Sequence, residues 1–351
     1  MLPVLSYGDA VGNDTLAIAE ILAEQGYGKE IFTDIIDDRL PAETAEKISD
    51  LEDLSDDDIL IYHMATATKR NYELPNFGGK HIMIYHNITP PYFFKDYSSG
   101  LVNACQEGYD QVKFLSDKMD YCIADSEYNK QDLIRMGFTC PIDVCPIIIP
   151  FEDYDQEPNQ VILNNYGSGD VTNILFVGRI APNKKFEDII LAFYIYHKYY
   201  NPKSRLILCG SYNGMEKYYQ RLLDYARRLR ITDSIIFTGH IRFNEILAWY
   251  HAADLFLCMS EHEGFCVPLA EAMYFGIPIV AYSSCAVPDT LGKGGVLLEN
   301  KDPKSTAEVM NKIVNDEEFR NDIKMMQKKQ LQQFQYENVK KIFLECLNRF
   351  S

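Results

Sequence analysis

Short apolar runs recur along this chain, and nearly every one is followed by an amphipathic stretch before the next begins. In the first half the runs are Val4–Tyr7, Glu30–Phe32, Ile59–His63, His81–His86 and Tyr121–Ala124. Helix-period segments fall between them, at about Thr15–Gln25, Ala42–Ser49, the residues before Asp117, and Asn129–Met136. Unbroken apolar runs of this length read as parallel strands buried on both faces, and parallel strands need helical crossovers to connect them. The turn-rich, acidic stretch PFEDYDQEPN at 150–159 interrupts the series and reads as a linker. A second series then follows: Asn173–Val177, Arg205–Cys209, Ser234–Phe237, Asp254–Cys258, Ile277–Ala281 and Gly295–Leu298. The expectation is an α/β chain of two doubly wound, Rossmann-like domains, residues 1–160 and 161–335. The 351 residues suffice for two cores. Residues 336–351 form one more amphipathic helix, with Val339, Ile342, Phe343 and Cys346 on one face and no strand after it. That helix is expected to cap its sheet or to cross back to the first domain.

Charge narrows the partners once it is divided between the halves. Residues 1–165 hold 30 Asp/Glu against 11 Lys/Arg, a balance of −19, whereas residues 166–351 hold 21 against 23, or +2. A polyphosphate ligand is therefore expected on the second half, and nucleic acid is not expected as a partner because phosphate contacts need clustered cations. Docking of the acidic half on an anionic membrane is disfavoured, although Lys95, Lys113, Lys118, Lys130 and Arg135 could form a local basic patch. No segment reaches the roughly 18 apolar residues of a spanning helix, and the start lacks the pattern of a signal peptide. The nine cysteines show no paired metal spacing, which fits reduced thiols in the cytoplasm and no metal site. A cytoplasmic protein, with peripheral contact at the inner membrane face left open, is the expectation.

The segment EHEGFCVPLAEAM, Glu261 to Met273, joins one apolar run to the next. Pro268 suits a first helical position, and Gly276 with Pro278 stops the helix. Glu263 then lies in a loop at the carboxyl end of a strand, and Glu271 about one turn into the helix. In an open α/β sheet that edge receives ligands, and the free N–H groups of a helix start attract phosphate. Carboxylates on both sides of such a turn suit a ligand with hydroxyls on both sides of its phosphates, as in a nucleotide sugar. Upstream, ILFVGRIAPNKKFEDII at 174–190 places Gly178 where a strand turns, with Arg179 and Lys184 on the following loop. Two cations there can hold a diphosphate without metal, one by a planar fork and one as a point charge.

GRIAPNKK and EHEGFCVPLAEAM together resemble the retaining glycosyltransferases of family 4, strongly over about 170–300 and weakly in the first half. The resemblance implies the GT-B fold, two facing Rossmann-like domains with a cleft between them. It implies that Glu271 binds the ribose hydroxyls and that Glu263 faces the donor sugar near its 3-hydroxyl. Arg179 and Lys184 would stabilise the diphosphate leaving group, and backbone N–H groups of Gly264, Phe265, Cys266 and Val267 would complete its binding. His86, ending the run HIMIYH, matches the position where the family often has a histidine near the donor sugar, and His63 is a lesser candidate on the acceptor side. The glycine-rich first loop is reduced here to Gly8 and Gly12, and close backbone approach to phosphate at Gly12 is the expectation.

The implied activity is transfer of a hexose from a nucleotide diphosphate to a glycan or lipid-linked glycan, with retention, as in bacterial surface polysaccharide synthesis. No cofactor is expected beyond that donor. Two Asp-x-Asp pairs, Asp56/Asp58 and Asp153/Asp155, read as solvated charge and not as metal ligands. A sugar-nucleotide 2-epimerase and a non-catalytic nucleotide-sugar or glycan binder are the competing classes; a nicotinamide dehydrogenase is disfavoured because no GxGxxG follows a strand.

Overall fold

A computed structural model describes residues 1–6, 8–28 and 30–350. Two compact units divide the chain, one of residues 1–92, 100–150 and 334–351, the other of 93–99 and 151–333.

In the first unit all strand pairings are parallel. Strands β1 (Leu2–Leu5), β2 (Phe32–Ile36) and β3 (Glu46–Lys47) form one sheet, and β4 (Ile59–Met64), β5 (Lys80–Tyr85), β6 (Tyr121–Ala124) and β7 (Ile142–Val144) another. The His63 N–H donates to the Met1 carbonyl at 3.0 Å, which sets β1 beside β4. Helix α1 (Ala10–Glu24) starts earlier than its apolar pattern suggests because Asp9 caps it, accepting from the Gly12 N–H at 2.7 Å. Three further helices follow in this half, α2 (Lys69–Glu73), α3 (Ser99–Phe114) and α4 (Glu127–Met136). The helix expected over Ala42–Ser49 is instead a 3₁₀ turn at Ala42–Thr44 followed by the short edge strand β3, with Ile48 buried as its anchor.

The second unit has the sheet order β10-β9-β8-β11-β12-β13, again all parallel. Its strands are β8 (Thr172–Val177), β9 (Ser204–Cys209), β10 (Ile235–Gly239), β11 (Leu255–Cys258), β12 (Ile279–Tyr282) and β13 (Val296–Leu298). Its helices are α5 (Gln160–Tyr166), α6 (Phe186–Tyr199), α7 (Glu216–Leu229), α8 (Phe243–Ala252), α9 (Val267–Tyr274), α10 (Val287–Leu291), α11 (Pro303–Asn315) and α12 (Glu317–Leu331). The strand order reverses between β8 and β11, the position where open α/β sheets bind ligands. Residues 150–159 do not act as a free linker: Tyr154 is buried in this unit and Asn159 caps α5 through Val161 and Ile162. Residues 93–99 also pack here, with Lys217 Nζ donating to the Asp96 carbonyl and Arg221 Nη1 to the Tyr97 hydroxyl at 2.6 Å.

Helix α13 (Tyr336–Phe350) returns to the first unit and buries Val339, Phe343, Cys346 and Leu347 against Ile82, Ile84 and Ile123. Each such side chain contributes about 1.5–3 kcal/mol when fully buried, so this face is ample to hold the helix in place.

Candidate functional site

In the second unit, β8 ends at Val177 and Gly178 turns the chain with φ 154°, a conformation that L residues rarely adopt. The turn lies against Gly210: a Cβ there would stand 1.9 Å from the Gly178 carbonyl oxygen. A 3₁₀ turn at Pro182–Lys184 follows and aims Lys184 at the loop after β11. There its Nζ donates to Glu263 Oε2 at 2.5 Å. The Glu263 side chain is 7 % exposed and that of Lys184 21 %. Burial acts to lower the Lys184 ammonium, but the Glu263 carboxylate outweighs it and holds the group above the ordinary lysine value. Asn183, also buried, pins the same loop by donating to the His262 carbonyl at 3.2 Å and accepting from the Glu261 N–H at 2.8 Å. Glu261 is tied in turn to Lys301 and Lys185, and Lys301 to Asp188. The loop is thus fixed from several sides before any ligand arrives.

One atom of this arrangement has no partner. Glu263 Oε1 is buried and accepts no hydrogen bond within the structure. Leaving a buried acceptor unmade costs about 1–3 kcal/mol, more for a charged one. Such an atom suits a hydroxyl delivered by a ligand.

The other predicted residues are placed less simply. Arg179 is exposed, and its Nη2 donates to the Asn213 carbonyl at 3.2 Å. Helix α9 begins at Val267, so Pro268 is its second residue, not its first, and Cys266 caps it in the left-handed region at φ 73°. Glu271 accepts from the Tyr154 hydroxyl at 2.8 Å and from the Tyr250 hydroxyl, one on each oxygen. Burial raises its pKa, and the two phenols oppose that shift. Its carboxylate is therefore not waiting free for a ribose, although each oxygen keeps a second lone pair. Neither tyrosine was legible as a partner, since they come from a 3₁₀ turn 117 residues away and from α8, 21 residues away.

In the first unit, Gly12 lies within the first turn of α1, and its N–H is already bonded to Asp9. The need for glycine there is steric, because a Cβ would stand 2.5 Å from the Ser6 carbonyl oxygen. His63 and His86 come together at the carboxyl ends of β4 and β5. His63 Nδ1 and His86 Nε2 are 2.9 Å apart, and His86 Nδ1 lies 2.8 Å from Asp125 Oδ2, a partner that the sequence did not point to. Asp14 Oδ2 is 3.8 Å from His63 Nδ1. In the two Asp-x-Asp pairs, Asp58 accepts from the Ser55 N–H and hydroxyl, and Asp155 accepts from the Tyr274 hydroxyl at 2.6 Å.

Two doubly wound units in one chain, the second with a largely buried lysine–carboxylate pair at its topological switch point, define an α/β architecture of the GT-B type. Residues 164–330, just under half of the chain, match the sequence model of the glycosyl transferases group 1. It is 24 % identical over 277 residues to the O-antigen chain mannosyltransferase B of Escherichia coli, covering 76 % of this chain and 70 % of that one. It is 27 % identical over 198 residues to a serotype-specific mannosyltransferase WbdA of the same species, covering 56 % of this chain and about a quarter of that one (24 %). Among solved structures, a sucrose-phosphate synthase from Thermosynechococcus elongatus shares the fold at TM-score 0.75 and 16 % identity, over 99 % of this chain and 98 % of that one. An Anabaena protein crystallised with UDP and glucose does so at TM-score 0.75 and 17 % identity, over 99 % of this chain and all (100 %) of that one. The fold is GT-B, and the match to the glycosyl transferases group 1 supports a transferase. No helix among the described residues is long and apolar enough to cross a membrane.

Proposed function

We propose that the protein transfers a hexose from a nucleotide diphosphate sugar to a glycan or lipid-linked glycan, with retention at the anomeric carbon and without a metal. Bacterial surface polysaccharide synthesis is the setting this reading favours, because the relatives include O-antigen mannosyltransferases. The observation that carries it is the unpartnered Glu263 Oε1 held beside Lys184. A sugar hydroxyl would satisfy that oxygen, and the nearby ammonium would face the negative charge that develops on the leaving diphosphate. In this reading Arg179 swings from its carbonyl contact to the phosphates, and the N–H groups of Gly264 to Val267 share them. Glu271 keeps its tyrosines and accepts ribose hydroxyls on its remaining lone pairs. His86, at the strand ends of the first unit, takes part in the transfer.

The test is thermal unfolding in EDTA with UDP, GDP and ADP, and with UDP-glucose and GDP-mannose. A ligand at a hundred times its dissociation constant adds about 2.7 kcal/mol of stability. One nucleoside diphosphate is expected to raise the midpoint, and its sugar conjugate to raise it further in the wild type but not in Glu263→Ala. Absence of stabilisation by every nucleotide without added metal would overturn the reading.

A further inference from the structure

The first unit holds a buried polar chain at the carboxyl ends of β4, β5 and β6. Side chains of His63, His86, Asp125 and Asp14 are 2 %, 4 %, 4 % and 4 % exposed. Asp14, His63 and His86 bring ligand atoms within 4.8 Å of one another, a set that would suit a metal by composition. The ring geometry argues otherwise. The two imidazole planes differ by 5° and their centroids are 5.2 Å apart. With the facing nitrogens at 2.9 Å, that separation is the N···N distance plus a ring radius at each end. Both nitrogens therefore lie on the line between the rings, in a common plane, and their lone-pair directions point at each other. This is a linear N–H···N bond, and an ion cannot sit between the rings without turning them apart.

Proton placement follows from who can donate. A carboxylate only accepts, so His86 Nδ1 carries a proton toward Asp125. A second proton lies on the His63–His86 axis. Placed on His86 Nε2 it makes that ring a cation beside the Asp125 carboxylate and within the field of Asp14, while neutral His63 accepts at Nδ1. A His63 that donates from Nδ1 with its Nε2 bare binds one proton fewer in the pair, leaving both rings neutral and the buried carboxylates uncompensated, which is costly. We propose that Asp125 and His63 are positioning residues that hold His86 as a doubly protonated imidazolium, so that this ring serves transfer as a fixed positive charge and not as a base. The proposal rests on the reading above in giving His86 a part in the reaction.

The groups around the ring agree. Burial acts to lower His86, but the charge and hydrogen bond of Asp125, with Asp14 and Asp9 behind them, carry it above the ordinary histidine value. His63 is driven well below that value by burial, by the His86 charge and by the buried amino terminus, which donates to the Ile61 carbonyl at 2.7 Å. Burial pushes Asp14 up to about 7, offset by His86, raised further by Asp125 and lowered by the Ile148 N–H it accepts at 2.8 Å. A ring whose two N–H bonds are both engaged has no lone pair, so the acceptor's proton must leave by another route.

The experiment is a pH titration of protein labelled with ¹⁵N in its histidine rings, followed by NMR, alongside kcat/KM for nucleoside diphosphate release from UDP-glucose or GDP-mannose. In the wild type His86 is expected to be protonated on both nitrogens at pH 7, and to lose a proton above the usual histidine range, with activity falling over the same interval. Asp125→Asn should move both midpoints down by about one pH unit or more, since it removes the opposing charge. His63→Gln keeps an acceptor and should hold the midpoint closer to the wild type than His63→Phe does. A neutral His86 ring in the wild type at pH 7, which needs no variant to observe, would sink the proposal, as would an unmoved midpoint in a folded Asp125→Asn. If the titration appears as described but the rate ignores it, the claim on transfer fails alone. Donor binding at Glu263, read by thermal shift, stands or falls separately.

Discussion

Replacing Lys184 by Met tests whether the Glu263 pair is as buried as its geometry states. At 2.5 Å and an effective dielectric of about 20, the attraction is roughly 6–7 kcal/mol, most of it offset by the desolvation of both ions. Removing the ammonium leaves a carboxylate that is 7 % exposed, with Oε1 already lacking a partner and Oε2 newly without one. Breaking one side of such a pair costs about 3–5 kcal/mol. Methionine keeps most of the stem volume, so the loss is electrostatic and not a cavity. The double variant Lys184→Met/Glu263→Leu removes both charges and should recover most of that stability, because replacing a buried pair by apolar groups is often neutral. Urea unfolding of the wild type, both single variants and the double variant gives a coupling energy directly. Activity provides the second axis. The double variant should refold and still transfer nothing, which separates the structural from the catalytic role of the pair. A single Lys184→Met variant that loses less than about 1 kcal/mol would refute the argument, since only a solvent-screened pair behaves that way.

Other parts of the structure carry their own tests. Tyr154→Phe keeps the ring against Phe151, Tyr274 and Phe275 but removes one phenol from Glu271; it should cost about 1–3 kcal/mol by urea unfolding, and Glu271→Gln in the same background should be less than additive. Gly210→Ala drives a Cβ against the Gly178 carbonyl and should cost about 3 kcal/mol while weakening nucleotide binding, both visible in thermal shift. Asp14 is a carboxyl whose folded pKa is raised, from 3.8 to about 7, so the folded state binds the extra proton and stability falls as pH rises through that window. The full penalty is at most about 4 kcal/mol, and Asp14→Asn should lose distinctly less stability than the wild type between pH 5 and pH 8; equal pH slopes would rule out a buried, raised Asp14.

How far the sequence could be read depends on whether information was local. The apolar runs located the neighbourhood of every strand except β3 and β7, because burial on both faces leaves a signal within each run. Strand β7 is three residues long between Pro141 and Pro146, too short to show a period. Strand β3 was hidden for the opposite reason: the residues of Ala42–Ser49 favour helix, but pairing Phe32 with Glu46 and burying Ile48 decided the matter. Site chemistry divides the same way. Glu263 and Lys184 were legible because each sits just past a strand end, whereas the tyrosines on Glu271 are set by packing across 21 and 117 residues. Asp125 lies between these cases. Locally, Asp125-Ser126 reads as a helix start, and Ser126 does cap α4 by accepting from the Asn129 N–H at 3.2 Å. Yet in a parallel sheet the residues just beyond neighbouring strands fall side by side. Tyr85 pairs with Ala124, so the next residue of each strand, His86 and Asp125, must meet. His63 pairs with Ile84 one strand over, two residues before His86 on the same face of the sheet, which sets it diagonally within reach of that ring. Strand register, which no single apolar run carries, is therefore what brings His63, His86 and Asp125 together.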